Sequence, residues 1–171
     1  MANKRLTKKD LFAQPPVNFL ALGAGSGLAP FAPGTFGTLA AIPLWFLLPR
    51  NVYAYLALLL LLFVVGVWLC DACANYLEVH DHPGIVWDEW VGYFITMFAA
   101  PRSLWFVALG FALFRLFDVL KPWPIGLADK RVSGGLGIMV DDVIAGVFAA
   151  IVMHLIVLGL SLYGVAVGAL G

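Results

Sequence analysis

Two pairs of adjacent acids carry the most evident chemistry in this sequence: Asp88–Glu89 in "WDEW" and Asp141–Asp142 in "MVDDV". Each pair borders an apolar run, and no charged residue occurs from Val143 to Leu170. Carboxylates are costly beside hydrocarbon, so acids kept there mark a working site. Both pairs fall where the pattern predicts a helix to begin. One acid at a helix start would accept free backbone N–H groups and complement the dipole. Two acids at each of two starts exceed that need and repel one another. A divalent cation relieves the repulsion, and Mg²⁺ prefers carboxylate oxygens while keeping several waters.

Other groupings add to this. In "RLFDVLKPWP", Arg115, Asp118 and Lys121 recur every three residues, which places them along one helical face until Pro122 and Pro124 end the helix. In "VHDH", His80 and His82 flank Asp81; without a third nitrogen or sulfur ligand nearby, a polar loop is the simpler reading of the imidazoles. The stretch "GAGSGLAPFAPGTFGT" includes Gly34, Thr35 and Thr38. Such a turn opening a helix either offers backbone N–H groups to a phosphate or lets helices pack closely. It is no Walker loop, because no Gly-Lys-Ser/Thr follows. Cys70 and Cys73 read as small buried residues at a helix end, and His154 as an interhelical hydrogen-bonding residue.

Acids for a metal, Arg and Lys for an anion and a Gly/Thr-rich turn together suit a phosphate at a membrane surface. That combination points to metal-assisted chemistry on a phospholipid headgroup. Motifs of other phosphate chemistries are missing: there is no Cys-x5-Arg loop, no Asp-x-Asp pair and no CDP-alcohol phosphotransferase pattern. Two different classes of function compete with this reading. A divalent-cation transporter would place acids within its spans, which here are almost free of them. A non-catalytic subunit of a lipid-synthesis complex would release no phosphate.

The elements that must position these groups are helical. The 171 residues fit one domain, 1–171, opening with a basic stretch, 1–16. Only 12% are charged, half the share of a soluble domain, and mean hydropathy is +0.97. The chain therefore reads as an integral membrane protein. Acids and bases balance at ten each, so net charge indicates no partner, and none of nucleic acid is expected. Apolar helices are predicted from about Thr35 to Leu48, over "VYAYLALLLLLFVVGVWLC", over the short pieces "WVGYFITMFAA" and "LWFVALGFALF", and from about Asp142 to Leu160. The expectation is an all-α polytopic fold with about four to five membrane-embedded helices, some short or broken. Lys4, Arg5, Lys8 and Lys9 place the start of the chain in the cytoplasm. The favoured reading is a hairpin of the two short pieces at Pro101–Arg102–Ser103, which gathers the polar loops and nearly every charge on that same face. If they fuse into one span, the acidic stretches separate.

Four motifs carry a resemblance: "GSGLAPFAPGTFGTLAAIPLW", "VHDHPGIVWDEWVG", "FRLFDVLKPWPI" and "GGLGIMVDDVIAGV". In this order they resemble the phosphatidylglycerophosphatase A family of bacterial membrane lipid phosphatases. The resemblance implies Mg²⁺-dependent hydrolysis of phosphatidylglycerophosphate, a phospholipid, to phosphatidylglycerol and phosphate at the cytoplasmic face of the inner membrane. It carries functional roles onto Asp81, Asp88, Glu89, Asp118, Lys121, Asp141 and Asp142. The working assignment puts one or two Mg²⁺ ions on Asp88, Glu89, Asp141 and Asp142, with Asp81 a further candidate ligand. Lys121 and Arg115 would hold phosphate oxygens, helped by Gly34, Thr35 and Thr38. Direct attack by water and a covalent aspartyl intermediate both stay open at this point, as does the oligomeric state. Neighbours on a helix diverge by about 100°, so Asp141 and Asp142 must differ in role. Asp142 is favoured as the direct ligand. Small Ala145 and Gly146 would let the helix led by Asp88–Glu89 approach.

Overall fold

The computed structural model describes residues 6–79, 81–127 and 132–164. His80, Lys4, Arg5, Lys130 and Arg131 lie outside them. All regular structure among the described residues is helical: α1 (Lys8–Leu11), α2 (Val17–Ala21), a 3₁₀ segment (Gly23–Leu28), α3 (Pro33–Trp45), α4 (Val52–Leu77), α5 (Trp87–Thr96), α6 (Leu104–Leu120) and α7 (Gly134–Leu162). Helix α7 packs against α4, α5 and α6, and α5 also packs against α3 and α4, so the ten-residue α5 is the hub.

Helices α4 and α7 are long and apolar enough to cross a membrane, and only 22% of the apolar window of each is buried within the protein. The rest of each window is apolar surface that the protein itself does not cover. Helix α5 extends only about 15 Å at 1.5 Å per residue, too short to span.

The two short pieces do form a hairpin. The first turn of α5 meets the last turns of α6 through Glu89 and Arg115, so both acidic stretches share one end of the bundle. Fusion into one span is excluded by that contact.

Several boundaries differ from those read in the sequence. Helix α4 continues to Leu77, so Cys70 and Cys73 are buried within it rather than at its end. Helix α3 runs from Pro33 to Trp45, opened by Pro33 in its first position after Ala32 in the left-handed conformation (φ 45°). The basic stretch is partly packed: Asp10 and Leu11 are buried, and the Asn18 amide donates to the Asp10 carbonyl at 2.8 Å. The largest correction concerns α7. It starts at Gly134, so Asp141 and Asp142 do not open the helix but lie two turns inside it, Asp142 about 12 Å along the axis. The reason is tertiary. Gly135 donates its N–H to the Asp71 carboxylate on α4 at 3.0 Å, which caps a glycine-rich sequence that has little helical preference of its own.

Side-chain bonds to backbone carbonyls fix α5 in place. Trp90 Nε1 donates to Gly37 O at 3.0 Å on α3, and Trp87 Nε1 to Leu62 O at 3.1 Å on α4. Against α7 the contact is backbone to backbone: a Cβ built on Gly146 would strike the Gly92 carbonyl, and one on Gly92 would lie 2.8 Å from the Asp142 carbonyl. Close approach through Ala145 and Gly146 was expected, and both are buried at this crossing.

This crossing makes a prediction. Gly146→Ala should destabilise the protein by about 1–3 kcal/mol, the usual cost of overpacking. Gly159→Ala, where an added Cβ meets nothing within 4 Å, should leave thermal unfolding in detergent unchanged or raise its midpoint. Equal midpoints for the two variants would show that the α5–α7 crossing tolerates separation.

Candidate functional site

The first turn of α5 carries Asp88 and Glu89 as its second and third residues, yet neither side chain caps that helix. Both are buried, at 8% and 9% exposure, as is Asp142 at 3%. The α5–α7 crossing brings one carboxylate oxygen from each of Asp88, Glu89 and Asp142 within 4.8 Å of the others. Asp88 Oδ1, Glu89 Oε2 and Asp142 Oδ2 are buried without a hydrogen bond. Burial pushes the Asp88 carboxyl well above the usual carboxylate range, and the adjacent Glu89 pushes it further. Burial does the same to Glu89, reinforced by the charge of Asp142. A cluster of this kind is electrostatically incomplete: each buried acid disfavours ionisation of the next.

Around the cluster lies a cavity of about 330 Å³. Its walls include Asp81, Arg115, Asp118, Lys121 and Asp141, together with Pro33 and Gly34 at the start of α3. Arg115 on α6 pairs with Asp118 one turn on, and its Nη1 lies 3.8 Å from Glu89 Oε1. The buried Arg115 Nε has no hydrogen-bond acceptor. Lys121 Nζ reaches Asp141 Oδ2 at 2.7 Å. The three-residue ladder predicted from spacing is therefore broken after Asp118. Helix α6 ends at Leu120, Lys121 turns into the left-handed conformation (φ 42°), and its ammonium crosses to α7. The two aspartates of α7 diverge as helical neighbours must, Asp141 toward Lys121 and Asp142 toward Asp88 and Glu89.

Other residues singled out in the sequence fall in different places. Asp81 reaches the cavity wall but not the three-carboxylate cluster. Gly34 lines the cavity, whereas Thr35 and Thr38 do not. Thr38 is fully buried and donates to the Gly34 carbonyl at 2.9 Å, which turns its hydroxyl to its own helix. His82 is buried with Nδ1 accepting the Gly84 N–H at 3.0 Å. His154 accepts or donates within its own helix, Nδ1 to Ala150 O at 2.7 Å, rather than between helices. Asp71, left out of the predicted site, holds the start of α7 and through it the depth of Asp141 and Asp142. Pro33, Pro83 and Val119 also line the cavity. All three stood inside quoted motifs, but nothing in their side-chain chemistry marked them.

The arrangement offers three oxygen ligands for a hard cation and, beside them, two cationic side chains for an anion. Gly34 joins the two parts, because a Cβ there would strike Glu89 Oε1 and lie 3.0 Å from Arg115 Nη1.

Comparison with known proteins gives a consistent result. The family model described as phosphatidylglycerophosphatase A matches residues 19–157. The phosphatidylglycerophosphatase A of Escherichia coli is 46% identical over 158 residues, covering 90% of this chain and 91% of that protein. The Haemophilus influenzae protein of the same name is 45% identical over 144 residues, 82% of this chain and 88% of that protein. A Bacteroides thetaiotaomicron protein with the provisional name phosphatidylinositol-3-phosphatase is 41% identical over 146 residues, 78% of this chain and 89% of that protein. No solved structure matches the chain.

Gly34→Ala separates site geometry from stability. Alanine favours a helix over glycine by up to about 1 kcal/mol, so the unfolding midpoint should hold or rise. Phosphate release from a phosphorylated lipid should nevertheless fall at least about tenfold, as Glu89 and Arg115 are displaced. Wild-type turnover in this variant would show that their spacing does not matter.

Proposed function

Because this chain belongs to the phosphatidylglycerophosphatase A family, we propose that it hydrolyses phosphatidylglycerophosphate to phosphatidylglycerol and inorganic phosphate, with Mg²⁺ as cofactor. The observation that carries the cofactor is the cluster of Asp88, Glu89 and Asp142, one carboxylate oxygen of each lying within 4.8 Å of the others, with a buried oxygen left unbonded on each residue. An oxygen-only donor set of three carboxylates fits a hard dication. These three residues would hold it, with Asp81 and Asp141 outside that set. When bound, such an ion polarises a phosphoryl oxygen and lowers the pKa of a coordinated water.

The protein's own residues divide the remaining work. Arg115 presents a planar guanidinium, suited to two oxygens of a phosphate, and Asp118 holds it through the ion pair one turn on. Lys121 supplies a point charge in the same cavity, and Asp141 aims it. The start of α3 adds the positive end of a 13-residue helix beside Gly34. Together these groups orient the phosphate and neutralise charge that develops on its oxygens as the ester bond breaks. Hydrolysis by water is the reading adopted: in this assignment Asp88, Glu89 and Asp142 serve the cation, and Asp118 and Asp141 serve the ion pairs.

In this proposal the protein resides in the inner membrane and the site faces the cytoplasm: Leu6, two residues from Lys8, shares a cavity with His82 and Pro83 at the carboxylate end of the bundle, and Lys/Arg-rich segments stay inside.

Purified protein in detergent should release phosphate from phosphatidylglycerophosphate with Mg²⁺ and stop when EDTA is added. Asp88→Asn and Asp142→Asn should each lower turnover at least about 10²-fold. Asp141→Asn should lower it less and raise KM, as Lys121 loses its aim. Near-normal turnover in Asp88→Asn and Asp142→Asn, with folding intact, would end the assignment. Single cysteines at Pro83 and Ser133, both exposed, should resist an impermeant thiol reagent in intact cells and label in inverted vesicles. Tyr53→Cys, at the opposite end of α4, should do the reverse.

A further inference from the structure

At the end of the bundle opposite the carboxylates lies a cavity of about 330 Å³. The turn from α3 to α4 and the turn from α5 to α6 border it, and Arg50 and Arg102 line it together with Trp45, Val52, Tyr55 and Phe98. Arg102 joins the two turns. Its Nη1 donates to the Phe46 carbonyl at 3.2 Å and its Nη2 to the Leu48 carbonyl at 2.7 Å, and the guanidinium lies 5.2 Å from the centre of the Trp45 ring. These partners fix its position without neutralising it, because all are uncharged, and a guanidinium has further N–H groups beyond those two. Arg50 is exposed. No acid occurs in residues 46–70, 90–117 or 143–164, so among the described residues this end holds two arginines and no carboxylate. Val52, the first residue of α4, also lines the cavity, and the start of a 26-residue helix favours negative charge.

The depth of the cavity identifies the anion. Tyr53, Trp105 and Tyr163 stand exposed at the start of α4, the start of α6 and just past the end of α7. Trp105 and Leu160 line one pocket, which sets the start of α6 level with the end of α7. Tyr and Trp gather at the headgroup level of a bilayer. With α4 and α7 crossing the membrane, the two arginines sit in that layer, where lipid phosphates are the abundant anions.

We propose that this cavity binds the phosphate of an anionic phospholipid from the leaflet opposite the carboxylate site. Arg102 presents a fixed guanidinium, which suits the oxygens of a phosphodiester, and Arg50 supplies the second charge. Trp45, Tyr55 and Phe98 offer an apolar wall to the lipid's glycerol and upper acyl carbons. A zwitterionic headgroup brings its own ammonium toward the arginines and is disfavoured. A phosphate held here braces the turn that ends α5, the helix that carries Asp88 and Glu89 at its other end. The site stands independently of the hydrolytic reading.

The test is thermal unfolding of the purified full chain in non-ionic detergent with EDTA, titrated with phosphatidylglycerol, phosphatidylcholine or inorganic phosphate. Phosphatidylglycerol should raise the wild-type midpoint in a saturable way, and the other two should not. Arg50→Gln, at an exposed position, keeps the fold and should weaken the apparent affinity for phosphatidylglycerol at least about fivefold, one cation's share of the attraction to an anionic lipid. Arg115→Gln, in the carboxylate cavity, should leave that affinity unchanged. No response of the wild type, or equal affinities of the wild type and Arg50→Gln, overturns the site. A drop in Arg115→Gln as large as that in Arg50→Gln also overturns it, because the lipid would then lie at the carboxylates. A matching rise with phosphatidylcholine overturns the selection for an anionic lipid, and a rise with inorganic phosphate that Arg50→Gln removes overturns the lipid in favour of a free anion.

Discussion

Mutual repulsion among three buried carboxylates is the constraint on which the rest of this structure depends. Asp88, Glu89 and Asp142 come from two helices, are almost wholly withdrawn from solvent and offer oxygens within 4.8 Å of each other. No arrangement of that kind is favourable for its own sake. Burial and neighbouring charge both push the Asp88 and Glu89 carboxyls up, and only cations answer them. Arg115 supplies one from the protein. A bound dication would supply the other and reverse the local preference from protonated to ionised.

Forcing such groups together requires packing that does not yield. The α5–α7 crossing provides it, because Gly92 and Gly146 let two backbones meet where any side chain would hold them apart. Thr96 bridges the same crossing, its hydroxyl lying 3.0 Å from Gly92 O and 3.4 Å from Gly146 O. The indole N–H groups of Trp87 and Trp90 then tie α5 to α4 and α3. A ten-residue helix fixed on every side can hold two acids at its first turn without relying on them for its own capping.

The same end of the molecule sorts its remaining charges into pairs. Arg115 with Asp118 and Lys121 with Asp141 form two ion pairs in the cavity that holds the carboxylate cluster. In each, the acid restrains the cation, and Arg115 also approaches the cluster through Glu89 at 3.8 Å. Arg115 and Lys121 are thereby kept as binding groups for an incoming anion. Asp71 belongs to the same plan at one remove, since its bond to Gly135 sets how deeply α7 carries Asp141 and Asp142.

By itself the sequence determined the helical class, the placement of its long apolar segments and the identity of the charged groups. Those follow from local quantities: 20-residue apolar runs, scarce charge and acids at the borders of hydrocarbon. It also foretold that Asp141 and Asp142 would diverge, because helical geometry alone requires it. Tertiary structure decided the rest. The "GGLG" run is a poor helix former, yet α7 reaches back to Gly134, where Asp71, 64 residues away in sequence, accepts the Gly135 N–H. Lys121 looked like the third rung of a ladder, yet its partner is on α7. Thr38 looked like a phosphate ligand, yet its hydroxyl is held by the Gly34 carbonyl. In each case the competing partner is distant in sequence or is the backbone itself, and neither is encoded in the type and spacing of neighbouring side chains.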